Sequence, residues 1–511
     1  MSKFYITTPL YYVNDKPHIG HAYTCVVADT LARYRKLKGD DVFFLTGTDE
    51  HGEKIEAEAN KRNVKPQELA DGMVVHFKNL WQSLSISYDD FIRTTEERHI
   101  KVVQKFFQNL VSFGDIYKGK YSGWYCVPCE SFWTKTQLKD DKCPECNREV
   151  HKLEEEGYFF KLSKYGDVLL QYYNEHPDFI NPSSRRSEVI NFVKEGLKDL
   201  CITRSKLSWG IPVAEEPGLS IYVWFDALLN YISAAGYLDD EKRFKYLWPA
   251  DVHFVGKDIL KFHAVIWPSL LLAAGLSLPR KVFAHGWWMA EGRKMSKSLG
   301  NVMDTDVLVK KYGADALRYF LLREISPGLD GNFSISAMEK RFNADLANDL
   351  GNLLNRTISM VEQYFQGVVP DSNQPREMDD QVVEDAVKIL QRVNELMEKL
   401  DFSLALEAIW QFINRANKYI EDAQPWRLKK ENSPALNTVL WTLMESLRIV
   451  AILIFPFMPC KAAEMYSQIG MDDKIEEKRL SDLKWGLMKP GISVRKGNPL
   501  FPRIEFYNHK E

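Results

Sequence analysis

Phe4-Tyr5-Ile6-Thr7-Thr8-Pro9-Leu10-Tyr11-Tyr12-Val13-Asn14-Asp15-Lys16-Pro17-His18-Ile19-Gly20-His21 is the stretch on which the reading of the fold turns. Residues 4–8 are aromatic and β-branched, the composition of a buried strand. Beyond them Ile19, Tyr23, Val26, Val27, Thr30 and Tyr34 recur at helical spacing, and Gly39 supplies a stop, which predicts a helix over 19–38. A second strand is predicted over 42–45 and a second helix over 53–63. Strand, helix, strand and helix in that order call for a parallel sheet covered by helices.

The alternation stops near residue 115. Residues 115–213 hold two close pairs of cysteines and the acidic run Glu154-Glu155-Glu156, and read as an insertion. Strand-like segments resume at 221–225, 252–255 and 282–284, with an apolar helix at 259–274, and are expected to complete the same sheet. From about 334 onward the 3.6-residue period dominates, over 336–365, 379–399, 403–421 and 434–455. Breaks fall at 367–375, around Pro425 and at Ser433-Pro434, so a bundle of four or five helices is expected. The implied division is a first half-domain at 1–114, an insertion at 115–213, a second half-domain at 214–285, a linking region at 286–335 and an all-α domain at 336–511.

A chain of 511 residues has room for three or four domains at ~100–200 residues each. Its 45% hydrophobic and 27% charged content exclude global disorder, a collagen-like chain and a disulfide scaffold. With 67 basic against 70 acidic side chains the net charge is −3, which excludes nucleic-acid binding through diffuse positive charge but permits a local basic groove. The start, Met1-Ser2-Lys3, lacks a signal-peptide pattern. The longest apolar run, 450–458, is broken by Pro456 and falls short of the ~20 residues of a membrane span. A cytoplasmic protein with no membrane contact is expected.

Ligands of open parallel sheets bind beyond the carboxyl ends of the strands. Polar and glycine-rich segments follow each predicted strand, among them Thr46-Gly47-Thr48-Asp49-Glu50-His51-Gly52, Trp224-Phe225-Asp226, Gly256-Lys257-Asp258 and His285-Gly286. His18, Gly20 and His21 stand at the start of the first helix, where unpaired N–H groups and the dipole favour phosphate. Lys294-Met295-Ser296-Lys297-Ser298, between Gly292 and Gly300, describes a loop able to fold over an anion. Taken singly, the first motif also suits a surface His pair beside a cap, and the second a solvated basic loop. Cys126-Val127-Pro128-Cys129 and Cys143-Pro144-Glu145-Cys146 have the spacing of a tetrahedral zinc knuckle, structural because four thiolates leave no open position. Cys25, Cys201 and Cys460 read as packing residues.

His18-Ile19-Gly20-His21 and Lys294-Met295-Ser296-Lys297-Ser298 are together the paired signatures of class I aminoacyl-tRNA synthetases. The flanking Thr7-Thr8-Pro9-Leu10-Tyr11-Tyr12-Val13-Asn14, Gly47-Thr48-Asp49-Glu50-His51-Gly52, Tyr222-Val223-Trp224-Phe225-Asp226-Ala227 and Gly256-Lys257-Asp258 resemble the methionyl-tRNA synthetases of the bacterial kind, along essentially the whole chain. That resemblance implies a Rossmann-like α/β catalytic domain split by a zinc-binding insertion and followed by an α-helical anticodon-binding domain. It implies adenylation of L-methionine by ATP with Mg²⁺, then transfer to the 3′-terminal adenosine of initiator and elongator methionine tRNAs. His18, Gly20, His21, Lys294, Ser296 and Lys297 would then serve the phosphates, with Asp258 on the ribose. Asp49 would hold the methionine ammonium, with Leu10 and Tyr12 beside the substrate. Trp224, Ala227, Tyr231, Ile259, His263 and Trp267 would form the side-chain pocket. The spacing i, i+4, i+8 of Ile259, His263 and Trp267 sets those three on one helix face, although by spacing alone the tryptophans also suit plain core. Asn352, Arg356 and Trp426 match the family's anticodon readers.

Three other readings compete. Another class I synthetase, for valine, isoleucine, leucine or cysteine, is the nearest, and the first three carry a large editing insertion for which 115–213 is too short; a small-molecule nucleotidyltransferase needs no helical tail, and a non-catalytic tRNA-binding protein needs no lysine loop. With the chain reaching only residue 511 soon after the bundle, a monomer is expected.

Overall fold

The computed structural model describes residues 2–505 except 134, 145, 206, 291, 292, 295–302 and 327; at 121, 131, 132, 136, 155, 290, 293 and 294 it describes the backbone alone. At its centre lies a 7-stranded sheet of β1 (Lys3–Thr7), β2 (Tyr11–Tyr12), β3 (Asp41–Asp49), β4 (Asp90–Arg93), β5 (Ile180–Asn181), β6 (Val252–Gly256) and β7 (Val282–His285). The order is β2-β3-β1-β6-β7-β5, with β4 also on β3, and every pairing is parallel. β1 and β3 run in register from Lys3↔Asp41 to Thr7↔Leu45. β3 extends beyond the expected 42–45 through Gly47, where an added Cβ would sit 1.9 Å from Ile92 O, so only glycine allows β4 this close.

Helix α1 (Ile19–Lys38) follows β1 and ends where Gly39 turns left-handed at φ 91°. Arg35, Lys36 and Lys38 occupy its last turn, opposite in sign to the dipole there, and no acidic residue blunts its first turn. Helices α2 (Glu53–Arg62) and α3 (Glu97–Ser112) also belong to the first half-domain, with a further helix, Pro66–Ser83, between them.

The insertion builds its own antiparallel sheet, in which Ile116–Cys126 pairs with His151–Phe160 along ten registered positions. It also returns a strand to the main sheet: β5 pairs with β7 through Ile180↔Val282 and Asn181↔Phe283. The segment expected as a strand at 221–225 is different. Glu216–Ile221 pairs antiparallel with Thr203–Arg204 and Pro212–Val213, outside the parallel sheet, and the chain then coils into helix α4 (Val223–Leu228). All six residues of α4 are buried, and a continuous apolar run of this length does not distinguish a buried strand from a buried helix. Helix α5 (Asn230–Ala235) continues it.

The predicted helix after β6 forms, but it is wound as a π-turn over Phe262–Ile266 before helix α6 (Trp267–Ala273). Pro268 has no N–H to offer Ala264 O, and the Tyr173 hydroxyl donates to that carbonyl instead. Ile259, His263 and Trp267 therefore do not form a simple i, i+4, i+8 stripe.

Helix α7 (Ala314–Glu324) connects the sheet to the all-α part. There Phe342–Gly351, wound as π, leads into α8 (Asn352–Phe365), followed by α9 (Glu377–Glu398), α10 (Phe402–Ala423), α11 (Pro425–Lys430) and α12 (Ala435–Ile454). By length and composition α12 would cross a membrane, at a mean hydropathy of 1.5, but 89% of that window is buried among its neighbours. Two buried arginines tie distant segments, Arg448 within the all-α part and Arg318 between it and the sheet. Arg448 pairs with Glu445, which accepts N–H bonds from Gly486, Leu487 and Met488. Arg318 of α7 pairs with Asp29 of α1 at 2.7 Å and donates to the carbonyls of Leu84, Pro456 and Phe457.

Candidate active site

The carboxyl ends of β1, β3, β6 and β7 open on one side of the sheet. His18 caps α1: its Nδ1 accepts the Gly20 N–H at 3.1 Å, and its own N–H donates to His21 Nδ1 at 3.3 Å. Because both Nδ1 atoms accept, each neutral ring carries its proton on Nε2, so two donors stand at the positive end of a 20-residue helix. The rings stack with centroids 3.8 Å apart. Burial, and then the neighbouring His18, push the His21 pKa well below the ordinary histidine value. A Cβ on Gly20 would meet the His18 ring at 2.9 Å, so a larger residue would displace this pair.

Asp49 ends β3, is 3% exposed, and its Oδ1 has no hydrogen-bond partner. Burial raises its pKa well above the carboxylate norm, and the charges of Asp226 and Glu130 add to this. A buried carboxylate with an open oxygen is a site for a cation. The Leu10 side chain lies against Gly47 on the same strand, since a Cβ there would come within 2.9 Å of it.

The aromatic pocket can be assigned proton by proton. His263 donates through Nδ1 to Ile259 O at 3.0 Å, so Nε2 accepts from the Tyr231 hydroxyl at 2.7 Å. Burial lowers the pKa of His263 to about 4, which keeps it neutral. The Trp267 indole donates to His253 Nε2 at 3.2 Å, and His253 Nδ1 then donates to Thr7 Oγ1 at 2.6 Å. Trp224 stacks flat on Phe262, centroids 3.7 Å apart, with its indole N–H buried and unpartnered. Ala227 is buried beside it on α4.

A cleft of about 530 Å³ opens beside the aromatic pocket; Tyr12, Trp224, Phe262, Ile259 and Asp258 line it, with Cys129 and Arg148 from the insertion. Asp258 is exposed, and its Oδ1 accepts from the Trp287 indole at 3.1 Å. Asp330 fixes the neighbouring loop, pairing with Lys257 at 2.6 Å and accepting the Trp287 N–H at 2.8 Å. Ser296 and Lys297 lie outside the described residues, and of Lys294 only the backbone is described, paired with Met289.

Cys126, Cys129, Cys143 and Cys146 bring their sulfurs within 4.8 Å of one another. The Cys126–Cys146 and Cys129–Cys143 separations are 3.5 and 3.9 Å, close to the edge of about 3.8 Å for a tetrahedron with Zn–S bonds of about 2.3 Å. The four thiols fit a tetrahedral metal.

In the helical part Asn352 is exposed at the start of α8, and Arg356, one turn on, pairs with Glu421 of α10 at 2.7 Å. That pair brings α8 to the end of α10, where Gln424 turns left-handed and Trp426 begins α11, 39% exposed.

Phe262, His253, Asp330 and the His51–Asp226–His99 group were not singled out as site residues by the sequence. His51 and Asp226 stood inside quoted motifs, whereas His253 and His99 carry no local signal.

The model of class I tRNA synthetases (M) matches residues 4–154 and 149–358, and that of the anticodon-binding domain of tRNA ligases matches 379–487. A methionine–tRNA ligase of Caldanaerobacter subterraneus subsp. tengcongensis is 55% identical over 98% of this chain and 79% of its own. One of Thermotoga maritima is 48% identical over 100% and 81%. Among solved structures, the Mycobacterium tuberculosis methionyl-tRNA synthetase in complex with methionyl-adenylate has a TM-score of 0.95 at 42% identity, covering 98% of this chain and 100% of that one. The apo form of that enzyme gives 0.87 at 39% identity, over 99% of each.

Proposed function

We infer the chemistry of this cleft from one premise: the chain belongs to the methionine–tRNA ligase family of class I tRNA synthetases. It activates L-methionine with ATP, forming methionyl-adenylate and pyrophosphate, and transfers the methionyl group to the 3′-terminal adenosine of initiator and elongator methionine tRNAs. The observation that carries this reading is Asp49, a buried carboxylate with an open oxygen on the strand edge that also carries the His18–His21 pair and the aromatic pocket.

Asp49 takes the substrate ammonium, with Leu10 and Tyr12 beside it. Trp224, Ala227, Tyr231, Ile259, His263 and Trp267 enclose the thioether, for which aromatic rings are favourable neighbours. Neutrality of His263, locked between Ile259 O and the Tyr231 hydroxyl, supports a pocket that takes an uncharged side chain. The methionine carboxylate attacks the α-phosphorus in line, and charge grows on the phosphate oxygens. His18 and His21 donate to those oxygens through Nε2, and Gly20 lets the phosphates approach the helix end. Asp258 holds the ribose. Lys294, Ser296 and Lys297 close over the outer phosphates, a role resting on the motif alone. Mg²⁺ bound with ATP supplies charge neutralisation on the leaving pyrophosphate. No proton transfer is required at this step, so positioning and electrostatics suffice.

The four cysteines hold one structural zinc. A reducing cytoplasm suits their thiolates, and one copy of the chain holds every group named here, so a monomer suffices. ATP–pyrophosphate exchange with each amino acid in turn tests the substrate: methionine supports exchange, and equal rates with valine, isoleucine, leucine or cysteine would refute the assignment.

Asn352 and Arg356 read anticodon base edges, and Trp426 offers a ring on which an unstacked base can lie. Such stacking contributes about 1–3 kcal/mol, about 5- to 150-fold in affinity. Trp426→Ala is expected to raise KM for tRNA within that range while leaving methionine-dependent exchange intact. Parallel loss of both activities would instead give Trp426 a role in folding.

A further inference from the structure

A chain of polar side chains runs through the dry interior behind the pocket, and none of them has been given to a substrate above. Asp226 is wholly buried on α4. Its Oδ2 lies 2.7 Å from His51 Nδ1 and its Oδ1 lies 2.7 Å from His99 Nε2. His99 Nδ1 is 3.0 Å from the Ser233 hydroxyl on α5. The four members come from four segments: the turn after β3, α4, α3 and α5.

Three of those segments carry the methionine pocket. Asp49, the last residue of β3, stands two residues before His51 on the same turn. Trp224 and Ala227 lie on α4 with Asp226, and Tyr231 lies on α5 with Ser233. α3 serves as the fixed post, packed by Val102, Val103, Phe106 and Phe107.

A carboxylate this deep is costly to bury unless donors satisfy both oxygens. Here two imidazole N–H groups do so. Burial pushes the Asp226 pKa up, but His51 and His99 outweigh it and hold the carboxyl below its ordinary value. A charged Asp226 also repels Asp49, so the turn between them stays in place only if something ties it.

We propose that Asp226 is a positioning residue for methionine: with one oxygen on His51 and one on His99, it fixes the turn bearing Asp49 against the helices bearing Trp224, Ala227 and Tyr231. The inference deepens the reading of the cleft as a methionine site and rests on it. A charge-assisted tie of this kind acts on ammonium placement and leaves the phosphate groups at the start of α1 untouched. It therefore separates the two substrates.

The test is ATP–pyrophosphate exchange measured against methionine and against ATP. Asp226→Asn should raise KM for methionine about tenfold or more, roughly what one lost charge-assisted hydrogen bond costs, with KM for ATP changed less than about twofold. His51→Ala should do the same, and His51→Asn, whose amide nitrogen takes the place of Nδ1, should regain most of the loss. His99→Ala and His99→Gln should repeat the contrast through Nε2. If Asp226→Asn fails to fold, the two His51 variants decide alone. The proposal is overturned if KM for methionine stays at the wild-type value, if both KM values rise together, or if His51→Asn does no better than His51→Ala. Absence of methionine-dependent exchange in the wild-type chain would instead overturn the function itself.

Discussion

Replacing Asp49 with alanine lowers kcat/KM for methionine in pyrophosphate exchange by about 30- to 5000-fold, the 2–5 kcal/mol lost when one partner of a buried, hydrogen-bonded charge pair is removed. The expected effect is large because Asp49 is 3% exposed, so water could not replace it as the counter-ion proposed for the ammonium. KM for ATP should hold, since the proposed phosphate site, His18 and His21, lies on another segment. The same carboxylate predicts an acid limb. Burial, with Asp226 and Glu130, raises the Asp49 pKa, and a protonated carboxyl cannot pair with an ammonium. As pH falls through that raised value, kcat/KM for methionine should fall, approaching tenfold per pH unit below it. The linkage sign runs the other way for stability. A carboxyl whose folded pKa lies above its unfolded value favours the folded state at low pH and loses that contribution as pH rises. At neutral pH Asp49 thus weighs against the fold, and Asp49→Asn should melt at a higher temperature while losing activity. A lower melting point with the same loss would mark a folding defect and withdraw the assignment.

Cys143→Ser is expected to abolish metal binding, from the proposed one zinc per chain to none, and to depress exchange with it. Among the described residues the apolar cluster around the knuckle has Cys126, Trp133 and Cys143 buried, and two of those belong to the proposed ligand set. So small a core does not fold unaided, whereas structural zinc in zinc-finger peptides supplies about 10–16 kcal/mol. The damage is not confined to the rim of the cleft. Glu130 follows Cys129 in a left-handed conformation at φ 51°, and its carbonyl accepts the Tyr222 hydroxyl. Tyr222 in turn is the N-cap residue of α4, on which Trp224 and Ala227 stand. Losing the knuckle therefore loosens one wall of the methionine pocket, with an expected fall of about 10- to 100-fold, as for lost supporting contacts around metal sites. New proteolytic cleavage between 120 and 150 should accompany it. A metal-free variant that kept wild-type exchange would show that the knuckle does not hold the pocket.

Features encoded by neighbours along the chain were legible. The cap at His18, the 3.6-residue period of α1 and the stop at Gly39 lie within one continuous stretch, and the structure reproduces 19–38 as a helix. The cysteine spacing foretold a cluster whose sulfurs do converge. Local pattern failed where two states share it. The buried run at 221–225 suits strand or helix equally, and only its surroundings chose α4. The π-turn before Trp267 needed Pro268 and, from 91 residues away, a tyrosine hydroxyl to take the released carbonyl.

The candidate residues of the cleft stood in its motifs; what holds them in place did not. His99 reaches Asp226 across 127 residues, and His253 reaches Thr7 across 246. Neither histidine differs by spacing from an ordinary core residue. Hydrogen bonds of that range arise because a buried polar group must find a partner wherever the packed sheet and helices bring one. By itself, the sequence determined most of the elements, the cysteine cluster and the candidates for the site. The tertiary structure alone decided the pairings behind them, because burial assigns partners by position in space and periodicity records only position along the chain.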